Sequence, residues 1–126
     1  MLEERPVAGR EPQKENDLFF TCSLIEYIAR RTKNHRLDVV NALGPQTIAK
    51  IYELADVYHS DNIDDVADEF IGQARIPTGT FDNVKAARYI VPSHWDIGKI
   101  YKRLILGISR EEGADVLEAL QRAYAS

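Results

Sequence analysis

The chain has 126 residues, which suits one domain or two subdomains that share a core. Hydrophobic residues make up 44% and charged residues 29%, a globular composition that argues against global disorder. The formal net charge is -4, so the chain lacks the overall excess of Lys and Arg that is typical of nucleic-acid-binding proteins.

The sequence also indicates where the protein resides. Cys22 is the single cysteine, so no intrachain disulfide can form, which is usual in a reducing compartment. The first residues lack the apolar stretch of a signal peptide, and no apolar run approaches the roughly 18 residues of a membrane span. We therefore expect a cytoplasmic protein that does not associate with membranes.

The first predicted helix follows a polar N-terminal segment. Residues 1–15 contain Pro6 and Pro12 without any apolar period, and we expect them to form a mobile tail. Asn16 or Asp17 can cap a helix by accepting a free backbone N–H bond. The apolar stripe that follows is wider than one helix face, which indicates a central helix. The stripe contains Leu18, Phe19, Phe20, Cys22, Leu24, Ile25, Tyr27, Ile28 and Ala29.

Three further helices are predicted in the N-terminal half, over 35–43, 45–59 and 61–71. Gly44 permits a left-handed helix end and Pro45 suits a first turn, so this pair predicts a break. Asp61 is expected to cap the third of these helices, and Gly72 to end it. The residues expected to point inward are Leu37, Val40, Leu43, Ile48, Ile51, Tyr52, Ala55, Tyr58, Ile63, Val66, Ala67 and Phe70.

Two capping patterns predict the C-terminal helices. Ser93 and Asp96 form a capping box with Asp in place of Glu, and Ser109 with Glu112 matches the S-x-x-E form. The expected apolar face of the first helix contains Trp95, Ile97, Ile100, Tyr101, Leu104, Ile105 and Ile108. That of the last helix contains Val116, Leu117, Leu120 and Tyr124.

The fold class predicted from these patterns is all-α, with about six helices. An N-terminal four-helix unit (16–72) is expected to pack with a C-terminal helical pair (93–126), so that residues 16–126 form one compact domain. A connector over 73–92, with a short strand over 88–91, joins the two units.

Motifs for catalysis, phosphate binding and metal binding are absent from the sequence. The acidic run that starts at Asp61 fails the calcium-loop pattern, because its sixth position is Val66 rather than Gly. Cys22 lies on an apolar stripe and is expected to be a core residue rather than a nucleophile. We expect no enzymatic activity, no metal site and no cofactor. The remaining enzymatic hypothesis is a polar pocket that joins Tyr58, His59 and His94.

Two surfaces are candidates for binding a protein partner. A solvated acidic helix face is one, either as ordinary surface or as a docking site for a basic partner. Its residues are Asp61, Asp64, Asp65, Asp68 and Glu69. Trp95 and Tyr101, together with Tyr89, lie near the connector, and either pack in the core or line a partner groove.

A basic cluster supports a different hypothesis. It consists of Arg30, Arg31, Lys33 and Arg36. These side chains could contact DNA phosphates, and the segment from Leu37 to Tyr58 could form a helix-turn-helix. The polar residues on its second helix are few for reading base edges.

Four segments together form a pattern of apolar and aromatic positions around the dipeptides E-Y (26–27) and Y-H (58–59). They read L-F-F-T-C-S-L-I-E-Y-I-A (18–29), D-V-V-N-A-L (38–43), I-Y-E-L-A-D-V-Y-H (51–59) and D-N-I-D-D-V-A-D-E-F-I (61–71). In this pattern the chain resembles a bacterial family of short helical proteins of unknown function. Members are often encoded beside another small protein, some of which look like ADP-ribosyltransferase toxins. The resemblance implies an antitoxin-like or accessory protein with a toxin-like partner, and it brings no catalytic residues.

The main prediction is therefore a non-enzymatic cytoplasmic protein that binds a protein partner. A DNA-binding transcriptional regulator is the alternative.

Overall fold

The computed structural model describes the backbone of residues 4–82 and 92–125 and the side chains of residues 13–82 and 92–125. Within these ranges the secondary structure consists of six α-helices without a strand, so the all-α prediction is confirmed. The helices are α1 (Glu4–Thr32), α2 (Arg36–Glu53), α3 (Ala55–His59), α4 (Ile63–Ala74), α5 (His94–Glu112) and α6 (Val116–Ala125). The strand expected over 88–91, and Tyr89 within it, lie outside the described residues.

Helix α1 begins much earlier than the sequence predicted. It starts at Glu4, so the expected N-terminal tail is helical from this residue onward and neither Asn16 nor Asp17 is a cap. Pro6 lies in the first turn, where a main-chain N–H has no helical partner and proline is tolerated. One turn before the apolar stripe, the Gln13 side-chain amide donates to Asp17 Oδ1 at 2.8 Å across one helical turn.

Helix α1 is the central helix of the fold, as its wide stripe predicted. Nearly all side chains from Leu18 to Ala29 are buried, and only Phe19 and Tyr27 are partly exposed. The helix contacts α2, α3, α4 and α5, and its contact with α5 is the most extensive between any two of the described helices. Burial on several sides explains why its apolar residues exceed one face.

Helix α2 bends where Gly and Pro follow each other. Gly44 has φ 83° and ψ 159°, a left-handed conformation that interrupts the helix, so the predicted break is confirmed. The second half ends sooner than expected, because Leu54 (φ -106°, ψ 20°) separates it from the short helix α3. Leu37 was expected to point inward, but 37% of it is exposed, and Val39 is buried instead.

Helix α4 is shifted slightly relative to its prediction. Asn62, rather than Asp61, is the N-cap, and its side chain accepts the Asp64 N–H at 2.8 Å. Asn and Asp are almost equally good caps, so the sequence cannot choose between neighbours. The helix continues through Gly72 to Ala74, and its C-cap Arg75 adopts the left-handed conformation.

The start of α5 is the predicted capping box. The Ser93 hydroxyl accepts the Asp96 N–H at 3.0 Å, and Asp96 Oδ2 accepts the Ser93 N–H at 3.2 Å. Two free N–H groups of the helix end are thereby satisfied.

The second predicted capping box does not form. Ser109 lies inside α5, where its hydroxyl donates to the Ala114 carbonyl at 2.7 Å. Gly113, with φ 65°, ends α5, and Asp115 then accepts the Leu117 N–H at 3.2 Å before α6. The left-handed glycine after Glu112 places the helix end later than the S-x-x-E pattern indicates.

Helix α5 packs on α1 through a glycine. A Cβ atom at Gly98 would overlap Ser23 Oγ and come within 3.0 Å of Ser23 N and 3.1 Å of Ser23 Cα. The buried residues of α5 are therefore Gly98 and Ile105, which lie together on the side facing α1. This rotation leaves Ile100 and Leu104 on the outer side, so their predicted inward orientation is wrong.

Candidate functional site

The acidic face of α4 is partly used within the chain. Arg31 reaches from α1 to Asp68 at 2.7 Å and to Asp64 at 3.4 Å. Both carboxylates and the guanidinium are well exposed, so each ion pair contributes little to stability. The outer part of the face consists of Asp61, Asp65 and Glu69, all of which are exposed.

The basic cluster predicted for DNA is mostly paired with carboxylates of the same chain. Arg30 contacts Glu26 at 2.8 Å and donates to the Pro92 carbonyl at 2.6 Å. Arg36 donates to both oxygens of the same carboxylate, and Arg31 binds the acidic face of α4. Lys33 has φ 58° and lies just beyond the end of α1. Three of the four proposed phosphate ligands therefore already have an anionic partner.

Glu26 is the buried centre of this ion-pair group. Only 1% of its side chain is exposed, against 19% for Arg30 and 32% for Arg36. Removing a carboxylate from water costs free energy, and charged donors must replace the lost water if the group is to remain ionised in the interior. The two arginines do so, which explains their place in the fold without any nucleic acid.

Burial and neighbouring charges shift the pKa of three polar groups near Glu26. Burial raises the pKa of the Cys22 thiol to about 12, and burial also raises the pKa of Tyr124 well above its usual range. Burial and then the neighbouring Arg30 lower the pKa of His94, with Glu26 acting in the opposite direction. The thiol and phenol thus stay protonated and the imidazole neutral. Cys22 is fully buried, which confirms its predicted place in the core.

The aromatic residues expected to lie together form two separate groups. The Trp95 ring lies 5.6 Å from Phe19 and 5.8 Å from His59, between centroids. Tyr101 instead stacks on Tyr124 at 4.2 Å with a 6° angle between the rings. Both residues are partly buried, and each serves to pack helices together.

Tyr58 and His94 are not among the residues that line the groove at His59. The Tyr58 ring packs edge-on against Phe70 at 5.3 Å, and the His94 ring packs edge-on against Tyr27 at 5.0 Å. His59 lines an open groove of about 460 Å³. The other lining residues are Gln13, Asn16, Asp17, Phe19, Ala55, Asp56 and Ser60. In the portion of the chain with described side chains, no three His, Cys, Asp or Glu residues converge as metal ligands.

The outer side of α5 exposes the apolar residues that the sequence assigned to the core. Ile100 is 56% exposed and Leu104 44% exposed, one turn apart, and the cations Lys99 and Arg103 beside them are also exposed. We call these four residues the α5 face. They lie on the side of the helix opposite Gly98 and Ile105. From Ile97 to Arg110 the helix carries four cations and no carboxylate.

A second exposed apolar pair lies where α2 meets α3. Leu54 is 41% exposed and Val57 is 57% exposed. Glu53 and Asp56, next to them in sequence, are exposed as well. We call these four residues the α2–α3 corner. The inward stripe predicted for the helix over 45–59 included neither Leu54 nor Val57, and both are exposed.

Comparison of the chain with protein-family models, with curated proteins and with solved structures finds no match. Among the helices in residues 4–82 and 92–125, none combines the length and the apolar character needed to traverse a bilayer.

Proposed function

We propose that this protein acts without catalysis, by binding another protein through the α5 face. The exposure of Ile100 and Leu104 supports the proposal most strongly. Two large aliphatic side chains on adjacent turns leave apolar area in water, and their burial by a partner would contribute roughly 25 cal/mol for each Å² covered. Apolar anchors inside a polar rim are typical of protein interfaces.

The charges around these anchors favour an acidic partner. Lys99 and Arg103 flank the apolar pair, and Lys102 and Arg110 lie on the same helix. In a chain of net charge -4, this concentration of cations is a local exception. A partner that presents aliphatic side chains between carboxylates would match both the apolar and the charged parts of the face.

The exposed residues fit a protein partner better than they fit DNA. Arg30, Arg31 and Arg36, which carried the regulator hypothesis, are paired with carboxylates of the chain itself. The cations of α5 could attract phosphates, but Ile100 and Leu104 between them would gain nothing from a phosphate backbone. DNA binding therefore remains the weaker alternative.

The resemblance over residues 17–71 adds a finer proposal. By that likeness, the chain is a bacterial cytoplasmic protein that acts as an antitoxin-like or accessory partner of a toxin-like protein. The acidic residues Asp61, Asp65 and Glu69 would then form a second contact surface in the same assembly, which would bind a basic surface of the partner.

Recovery of the protein from its native cells at its natural level tests this function. We expect the wild-type chain to retain a second polypeptide in stoichiometric amount, and Ile100→Asp with Leu104→Asp to lose it. Leu37→Asp is the control, because Leu37 is another exposed aliphatic residue and belongs to neither the α5 face nor the α2–α3 corner. A wild-type protein that is recovered alone, or equal recovery by all three versions, would contradict the proposal.

A further inference from the structure

The α2–α3 corner is complementary to the α5 face in character. Each surface has two exposed aliphatic side chains, separated by one helical turn or less. The α5 face flanks its pair with Lys99 and Arg103, whereas the corner flanks its pair with Glu53 and Asp56. Apolar residues can thus meet apolar residues while cations meet carboxylates.

The local structure holds the corner in this arrangement. The Leu54 N–H bonds the Lys50 carbonyl at 3.0 Å, and Asp56 Oδ1 accepts the Val57 N–H at 3.0 Å. The second bond keeps a carboxylate beside the exposed Val57 side chain. The corner itself carries two exposed carboxylates, Glu53 and Asp56, and no cation. The corner is therefore acidic as well as apolar.

We propose that a second copy of this chain docks its α2–α3 corner on the α5 face. The proposal rests on the proposed function in one respect, namely that the α5 face binds protein. The partner bound by the α5 face is then another copy of the chain, because the chain itself carries the matching surface. Charge complementarity and the paired aliphatic side chains carry the argument.

The two surfaces differ, so the contact is head-to-tail. Each copy offers one α5 face and one corner, so each can bind two further copies. The assembly is a ring if the contacts close on themselves and a short filament if they do not. Each surface is small beside the roughly 800 Å² per partner of a stable interface, so the association should be weak. It should also weaken at high salt, since half of each surface is charged.

Sedimentation velocity over a range of protein and salt concentrations tests this proposal. We expect the mean mass of the wild-type chain to rise with protein concentration and to fall with salt. Ile100→Asp removes the α5 face and Val57→Asp removes the corner, so each variant alone should remain a monomer. An equimolar mixture of the two should form a species of two chains that does not grow further, because only one intact pair of surfaces remains.

A pair of charge variants tests the same contact and does not depend on whether Ile100→Asp and Val57→Asp fold. Arg103→Glu and Glu53→Lys change only exposed side chains, and each alone should lower the association at least several-fold. Their equimolar mixture should restore it, because one chain keeps an intact corner and the other an intact α5 face. Far-UV circular dichroism confirms that each variant is folded.

Several results would overturn the self-association, and they differ from failure of the proposed function. A wild-type chain that stays monomeric at all concentrations, or mixtures that fail to associate, would exclude a second copy as occupant. Loss of a native partner by Ile100→Asp would still support the proposed function in that case. Conversely, reciprocal rescue in the mixtures without any partner in the native cells would support the inference and contradict a heterologous partner.

Discussion

Substitution of Gly98 by alanine should loosen the contact that fixes the rotation of α5. The added Cβ atom would overlap Ser23 Oγ and approach Ser23 N and Cα to 3.0 and 3.1 Å. The hydroxyl can rotate away, but the two main-chain atoms can be relieved only if α5 moves from α1. Because this contact orients Ile100 and Leu104 outward, the variant tests the structural basis of the α5 face.

Gly107 on the same helix provides the matched control, because an added Cβ there meets nothing within 4 Å. Both substitutions gain about 1 kcal/mol of helix propensity, so this gain cancels in their difference. Overpacking typically costs about 1–3 kcal/mol, and we expect Gly98→Ala to be less stable than Gly107→Ala by that amount. Urea unfolding followed by far-UV circular dichroism measures the difference.

A third variant identifies the steric cause. Ser23 Oγ is buried and has no hydrogen-bond partner among the described residues, so Ser23→Ala should be neutral or slightly stabilising. Combined with Gly98→Ala, it should recover part of the lost stability, since the nearest overlapping atom is gone. Equal stabilities of Gly98→Ala and Gly107→Ala would refute the close packing of α5 on α1.

Three further predictions concern titratable groups. Glu26→Gln should lower the free energy of unfolding by about 3 kcal/mol, because two half-buried guanidiniums lose their counter-ion. Glu112→Gln, which removes an exposed ion pair, should change the free energy of unfolding by less than about 1 kcal/mol. Urea unfolding measures both. The pKa of His94 is lowered from its ordinary value of 6.5, so as the pH falls the unfolded chain binds a proton at this residue before the folded chain does. The free energy of unfolding should therefore fall as the pH drops below 6.5. His94→Gln should reduce this loss relative to a His35→Gln control, and an unchanged pH dependence of stability would contradict the prediction. The Cys22 thiol, buried with its pKa raised to about 12, should react with a disulfide reagent far more slowly in native protein than in urea, and comparable rates would show that it is accessible.

Local sequence signals predicted the elements whose cause lies within a few residues. The break at Gly44 and the capping box at Ser93 depend on backbone freedom and short-range hydrogen bonds, and both are present. The stripe from Leu18 to Ala29 predicted a central helix because its apolar residues cover more than one helix face. Errors at Asp61 and Ser109 arose where a neighbouring Asn or a later Gly served the same purpose better.

The candidate site could not be predicted in this way, because it depends on contacts between distant segments. The apolar stripe of α5 is wider than one face, and only the approach of Gly98 to Ser23 determines which part is buried. Likewise, Arg30 and Arg36 look like an exposed basic cluster until the fold closes both over Glu26. A glycine within an overly wide apolar stripe is a sequence signal for a close helix contact, but α5 has two, and only Gly98 approaches α1 while Gly107 lies in open space.

Photo-crosslinking at position 100 in the native cells tests the central claim most directly. A photoreactive residue in place of Ile100 should form an adduct with another polypeptide, whereas the same residue in place of the exposed Gln46 on α2 should not. The mass of the adduct distinguishes a second copy from a different protein. Absence of any adduct at position 100, with efficient crosslinking at position 46, would contradict a role of the α5 face in protein binding.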